Sequence, residues 1–322
     1  ARKVNPDFRW VVGLNNIEEE KQIIYDGLGD GIDRLERTQR YDSQENLDAN
    51  RDLEARGSLR VSGASAEGDF YIMGIPSPWK TAEGILKEKE FGTTSLELDF
   101  DPPSKAPFDP NRAVAQQLQM GGSEDVEIII QNQAVKWVGS ELEESLVQLW
   151  KISDDISRKF PFWALYGNQG FAWYRFWVRP FVPDIGKIPV KDRFYYEEYI
   201  LTHFNNPHNV DFKADALWDI LTEDECARDQ KVHDETILPG LQEAIEKANG
   251  VLKNLEESDP AFVVFADLRD RLRAYRCFGR TLRNVAAWIV HVHGYLDTEA
   301  AAEKKEHGQE VQALIDDELE NA

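Results

Sequence analysis

Residues 126–131 read Val-Glu-Ile-Ile-Ile-Gln, and after its single acid this run is apolar on both faces of an extended chain. Successive side chains of a strand point to opposite faces, so such a strand is buried on both sides. Strands of this kind are typical of parallel sheets covered by helices. The run therefore predicts a strand of a parallel sheet, and it sets the fold class that we expect.

Five other segments have the composition of strands, and helical patterns lie between most of them. The predicted strands are rich in Val, Ile and aromatic residues, and Gly, Pro or Asn bounds them. They cover residues 8–14, 58–63, 69–74, 95–100 and 162–166, and the predicted helices cover residues 17–28, 81–89, 111–120 and 140–160. Alternation of strands and helices predicts an α/β fold with helical crossovers between parallel strands.

Two folds of this class fit the pattern, a doubly wound sheet and a (β/α) barrel that is incomplete in this chain. No GxGxxG or Walker sequence follows a predicted strand. Polar residues instead cluster where several strands end, which is where barrels place their active sites. We therefore expect the barrel.

From about residue 211 the pattern becomes purely helical. Apolar residues recur at steps of three and four through residues 233–255 and 261–296, and a third such pattern begins at Val311. Such spacing places one apolar seam on each helix, as in an antiparallel bundle. We expect residues 1–210 to form the barrel-type catalytic domain and residues 211–322 an α-helical C-terminal domain.

The charge and the rare residues restrict the function. A net charge of −22 opposes binding to nucleic acid and to membrane surfaces, so neither partner is expected. Neither the two cysteines nor the histidines have metal-ligand spacing, so we expect no metal and no cofactor. We expect a soluble protein, either cytoplasmic or secreted by a bacterium. Both ends resemble cuts in a longer chain, because residue 1 is not Met and the last residues keep a helical register.

The segment 95–102 carries the strongest candidates for catalysis. Alternation along a strand places Glu97, Asp99 and Asp101 on one face and apolar residues on the other. Carboxylates that crowd in a low-dielectric site push their pKa values apart, which lets an acid and a base coexist at neutral pH. The alternatives are an edge strand with a solvated acidic face, or a cation site.

Further polar and aromatic residues have the chemistry of a sugar site. Amides, a phenol and an ammonium group follow the fifth and sixth predicted strands, where they would hydrogen-bond sugar hydroxyls. An aromatic segment then offers rings for stacking and guanidinium groups for a carboxylate, although a helix wedged between the two domains explains it equally. The predicted substrate-binding residues are Asn132, Lys136, Tyr166, Asn168, Gln169, Trp173, Arg175 and Arg179.

One group of motifs resembles a known family. The run 99–102, Glu127 in its apolar segment, and the motifs at 172–174 and 182–184 are similar to the later barrel strands of bacterial α-glucuronidases. These enzymes are inverting glycoside hydrolases whose barrel precedes a helical domain. The resemblance implies that Asp99 and Glu127 are catalytic acids, that arginine and lysine hold a uronate, and that the general acid lies before Ala1.

The sequence thus favours a glycoside hydrolase that acts on a poly- or oligosaccharide, including one that contains uronic acid. Its predicted catalytic residues are Asp99, Asp101, Glu97 and Glu127. The principal alternative is a non-catalytic carbohydrate-binding or assembly protein that forms oligomers through its helical bundle. A remoter alternative is a metal-dependent barrel enzyme that uses the same acids.

Overall fold

A computed structural model describes residues 10–13, 32–37, 60–65, 74–90, 95–99, 107–120, 125–160, 185–192 and 222–321. The chain divides into two compact units, Ala1–Lys136 and Trp137–Ala322, and each is described by itself. The expected domain boundary after residue 210 stays a prediction, because residues 193–221 lie outside the described ranges.

The described part of the first unit contains four short strands and several helices. The strands are β1 (Trp10–Gly13), β2 (Ile32–Arg37), β3 (Arg60–Ser65) and β4 (Ser95–Asp99), and they pair in parallel in that order. Helix α1 (Pro78–Glu90) lies between β3 and β4 in the chain, and α2 (Pro110–Gln119) and α3 (Val126–Val138) follow β4.

The predicted fold class, an α/β (β/α) barrel followed by a helical bundle, is wrong. The described part of the chain is predominantly helical and contains no barrel. The segment 126–131, on which the barrel depended, is the first half of α3. Three of the four short strands overlap a predicted strand, while β2 was not predicted. Residues 69–73 and 162–166 of two other predicted strands lie outside the described residues.

Residues 126–131 are helical because their apolar character continues with helical spacing. Ile130, Ala134 and Val138 recur every four residues and are buried, which makes one face of a helix. The Asp125 carboxylate also accepts a hydrogen bond from the backbone N–H of Ile128, at 3.2 Å, and so caps the first turn. A short run of isoleucines fits a strand or a buried helix equally, and the residues beyond it decide between them.

The second unit is built from helices around one long central helix. The elements among its described residues are α4 (Glu143–Lys159), a 3₁₀ turn (Ile185–Lys187), α5 (Glu223–Val232), a π-helical turn (His233–Ile237), α6 (Leu238–Leu252), α7 (Pro260–Asp297) and α8 (Ala301–Asn321). Helix α7 packs against α5, α6 and α8, and α6 also packs against α4. Its 38 residues span about 57 Å at the usual rise per residue.

The apolar seam predicted for α7 is confirmed. Phe265, Leu268, Leu272, Tyr275, Leu282, Val285 and Ile289 are all buried. Asp259 caps the helix by accepting from the backbone N–H of Ala261, and Pro260 occupies the first turn, where its missing N–H costs nothing. The helix predicted over residues 140–160 is observed as α4, which begins at Glu143 without a side-chain cap.

Candidate functional site

The candidate site lies in the first unit, where the segment 74–79 enters α1. These six residues read Gly-Ile-Pro-Ser-Pro-Trp, and all of them are buried. Gly74 adopts a φ of 59°, in the left-handed region that glycine enters without steric cost. The two prolines limit the conformations open to the rest of the segment. The chain therefore enters α1 through a buried and conformationally restricted turn.

Asn111, in the first turn of α2, fastens this turn. Its Nδ2 donates to the carbonyl oxygen of Ile75 at 2.8 Å, and its Oδ1 accepts from the backbone N–H of Ser77 at 2.7 Å. The residue is 0% exposed, so both bonds are made out of contact with water. Buried backbone groups need partners, and one side chain supplies two of them here. The amino-terminal ends of α1 and α2 are thereby joined.

Asp109 lies beside Asn111 and presents a buried carboxylate oxygen. Its Oδ1 caps α2 by accepting from the backbone N–H groups of Asn111, at 3.0 Å, and Arg112, at 3.3 Å. The residue is 5% exposed, and its Oδ2 has no hydrogen-bond partner within the described part of the chain. An unsatisfied buried acceptor costs about 1–3 kcal/mol, so it calls for an explanation beyond capping. A donor from a ligand would satisfy it.

Glu127 was predicted to be a catalytic acid on a strand, and its surroundings differ from that prediction. It lies in the first turn of α3 rather than on a strand, and its side chain is exposed. Its Oε1 accepts a hydrogen bond from the indole Nε1 of Trp79 at 2.8 Å. Trp79 is itself 9% exposed, so this bond satisfies a mostly buried indole donor. The contact gives Glu127 a structural role at the start of α1.

Asn132 and Lys136 were expected at the end of a strand, and they lie instead on the exposed side of α3. Four residues separate them, so they share a face of the helix. Lys136 lies nine residues after Glu127, so at 100° per residue the two side chains point to opposite sides of the helix. The helix therefore brings Asn132 and Lys136 together and holds Lys136 away from Glu127.

Of the other predicted site residues, two lie in β4 and the rest lie outside the described ranges. Glu97 and Asp99 are in β4, where the parallel register pairs them with Gly63 and Ser65. Asp99 is the last residue of that strand, and Asp101 and Asp109 follow it in the segment that leads to α2. The residues outside the described ranges are Asp101, Tyr166, Asn168, Gln169, Trp173, Arg175 and Arg179.

The second unit contains a buried histidine against an aromatic cluster. His233 is 0% exposed, its Nδ1 lies 2.8 Å from the carbonyl oxygen of Asp229, and its ring meets Phe160 edge to face. Burial lowers the pKa of His233, so the ring is neutral at neutral pH. Phe160 also stacks on Tyr275 and Phe278. These contacts join the end of α4 to α7 and to the π-helical turn.

Cys226 does not have the features of a nucleophile. Cys226 is buried, and desolvation together with the nearby Asp229 and Glu225 carboxylates raises the pKa of its thiol to about 12. A thiol with this pKa is protonated and unreactive at neutral pH. Cys277 is exposed and free, with no disulfide.

Comparison with known proteins places the chain in no family. No protein-family model matches it, and no curated protein is significantly similar to it. Among the residues that the structure describes, no helix is both long enough and apolar enough to cross a membrane.

Asp109 and Asn111 were missed as functional candidates. The sequence Asp-Pro-Asn at 109–111 is a clear signal for a helix start, because Asp caps and Pro occupies the first turn. Nothing local indicates that Asn111 will reach the backbone of residues 75–77, or that one oxygen of Asp109 will be buried without a partner. The bond between Asn111 and Ser77 spans 34 residues of the sequence.

Proposed function

We propose that this chain is a glycoside hydrolase that cleaves a poly- or oligosaccharide, with Asp99 and Asp101 as its acid and base. The observation that supports this function best is the buried Oδ2 of Asp109, which lacks a partner in the described residues. Asp109 and Asp101 belong to the segment between β4 and α2, and Asp99 is the last residue of β4. A sugar hydroxyl is a donor that would satisfy this oxygen.

The chemistry requires two carboxyl groups in different protonation states. One protonates the glycosidic oxygen as it leaves, and the other activates water or attacks the anomeric carbon. Neighbouring carboxylates favour such a division, because the charge of one disfavours ionisation of the other. Asp99 and Asp101 are two residues apart, which suits this coupling. Asp109 would orient the sugar by accepting from a hydroxyl.

Glu127 has no catalytic role in this proposal. Its bond to Trp79 and its exposure make it a structural residue. The proposal therefore departs from the α-glucuronidase pattern at this position, and it leaves the identity of the sugar open between neutral and uronate-containing chains.

The test is hydrolysis of a panel of aryl glycosides, including an aryl glucuronide, and of soluble oligosaccharides. We expect turnover by the unaltered chain and a loss of at least about a hundredfold in Asp99→Asn and Asp101→Asn. Asp109→Asn retains the capping oxygen and removes the acid, so we expect a helical fold with a raised KM. The matched control is Asp125→Asn, because Asp125 also caps a helix of the first unit but is exposed.

Full activity in both Asp99→Asn and Asp101→Asn would contradict the proposal, as would activity that falls equally in Asp125→Asn. Circular dichroism of each variant separates a lost fold from a lost catalytic group.

A second candidate function is carbohydrate binding without catalysis. It is favoured by the position of Glu127, since one of the two acids implied by the family resemblance supports α1 and not a reaction. Calorimetry would distinguish the two functions. Saccharide binding that saturates, with no release of reducing sugar over a long incubation, would favour binding alone.

A further inference from the structure

Two histidines from different helices face each other in the second unit. His291 lies on α7 and His307 on α8, and their Nδ1 atoms are 3.2 Å apart. The ring centroids are 5.5 Å apart, and the ring planes are inclined at 52°. Both side chains are partly buried. The turn between α7 and α8 therefore brings together two imidazoles that are 16 residues apart in the sequence.

The fold leaves room for this pair at Gly294. A Cβ atom at position 294 would overlap the imidazole ring of His307. Any residue other than glycine would therefore push the ring of His307 out of its present position. The position of the His307 ring therefore requires a glycine at position 294, which lies one turn after His291 on α7.

The separation of the two nitrogens suits a shared metal ion. Zinc binds imidazole nitrogen at about 2.0–2.1 Å, and two such ligands at a tetrahedral angle lie about 3.3 Å apart. The observed 3.2 Å is close to this value. A hydrogen bond between the rings is also compatible with the distance, and it requires complementary tautomers of the two rings.

The packing of α8 favours a further bond between α8 and α7. Leu314 is the buried residue of α8, so the half of this helix that precedes it has no buried side chain. A bond to α7 through His307 would secure that half.

We propose that His291 and His307 bind one divalent first-row transition-metal ion through their Nδ1 atoms, and that this ion fastens the first half of α8 to α7. Imidazole is a preferred ligand of Zn²⁺, Ni²⁺ and Cu²⁺. The described residues contain no group of three or more metal-binding side chains. Water completes the coordination. The site is independent of the proposed hydrolase activity.

The test is calorimetric titration of the metal-free protein with Zn²⁺ at neutral pH, followed by thermal unfolding with and without the ion. We expect one ion per chain. Free Zn²⁺ at a hundred times its Kd should raise Tm by roughly 5–10 °C. Hydrogen exchange of residues 301–313 should slow on binding, while that of α6 should not change.

His291→Ala and His307→Ala should each weaken Zn²⁺ binding at least about tenfold, since each removes one of two protein ligands. His293→Ala is the matched control, because it removes an imidazole two residues away that points to another side of the helix, and it should bind like the unaltered chain. His307 is at a partly exposed position, so its variant keeps the fold, and circular dichroism checks this. Absence of saturable Zn²⁺ binding, or equal binding by all three variants, would overturn the proposal.

Discussion

Replacing Asn111 with Ala tests the join between α1 and α2. The variant removes the side-chain oxygen that accepts from the Ser77 N–H and the side-chain amide that donates to the Ile75 carbonyl. Both backbone groups stay buried and lose their hydrogen bond to Asn111. Each such group costs about 1–3 kcal/mol, or about 2–6 kcal/mol for the two. Ala is the better helix former by up to about 0.7 kcal/mol, so we expect a net loss of about 2–5 kcal/mol.

The assay is urea unfolding followed by fluorescence and circular dichroism, together with hydrogen exchange at Ser77. The amide of Ser77 should exchange at least about tenfold faster in Asn111→Ala. Asn132→Ala is the control, because Asn132 is exposed on α3 and its loss should change stability by no more than about 0.5 kcal/mol. Asn111→Asp retains the acceptor for Ser77 and loses the donor to Ile75, so it separates the two bonds. Equal unfolding of Asn111→Ala and Asn132→Ala would refute the reasoning.

Three further outcomes are expected in the second unit. Leu272→Ala should destabilise the unit by about 2–5 kcal/mol in urea unfolding, because Leu272 is 0% exposed in the seam of α7. The stability of the same unit should be full above pH 6.5 and should fall as the pH drops from 6.5 towards the lowered pKa of folded His233, since the unfolded chain takes up a proton there that the buried ring resists. Asp317→Asn should speed hydrogen exchange in α8 by an amount that corresponds to about 1 kcal/mol, because Asp317 pairs with Arg280. The pair is partly exposed, so this effect should be smaller at high salt.

Each of these predictions has a result that would contradict it. Leu272→Ala with unchanged stability would mean that the seam of α7 is not a packed core. Stability that stays constant from neutral to mildly acidic pH would show that His233 titrates alike in the folded and unfolded chain. Exchange in α8 that is equally fast in Asp317→Asn and the unaltered chain, at low salt, would show that the pair with Arg280 does not hold the helix.

The helices of the second unit were predictable because their signals are long and local. The seam of α7 repeats over many turns, and the Asp-Pro pair at 259–260 marks its start. The same spacing predicted helix α8, but it did not predict which apolar residues of α8 would be buried. Leu314 is buried while Ile315 and Leu319 are exposed, because only part of its apolar stripe meets α7.

The prediction that residues 126–131 form a strand of a parallel sheet was wrong, because it rested on a short run. Residues 126–131 have the composition of a buried strand, yet they continue into a helix whose buried face includes Ala134 and Val138. Three consecutive isoleucines contain no periodicity that separates the two structures. Strand β2 was missed for the opposite reason, because residues 32–37 carry four charged side chains in six and lack the apolar composition of a strand.

The candidate sites could be predicted only as far as their residues are close in sequence. Asp99 and Asp101 stand out because alternation along a strand relates them directly. Asn111 and Ile75, or His291 and His307, meet through the fold, and no spacing rule connects them. Residues of this kind are found only when the packing of the elements is known.

Asp99 and Asp101, at the end of β4, are proposed to cleave a glycosidic bond. The ratio of kcat/KM between the unaltered chain and Asp99→Asn tests this proposal most directly. The measurement uses the best substrate of the glycoside panel and protein whose helical content matches that of the unaltered chain. We expect the ratio to be at least about a hundred, because removal of a group that transfers a proton in the reaction costs this much. A ratio near one would contradict the claim.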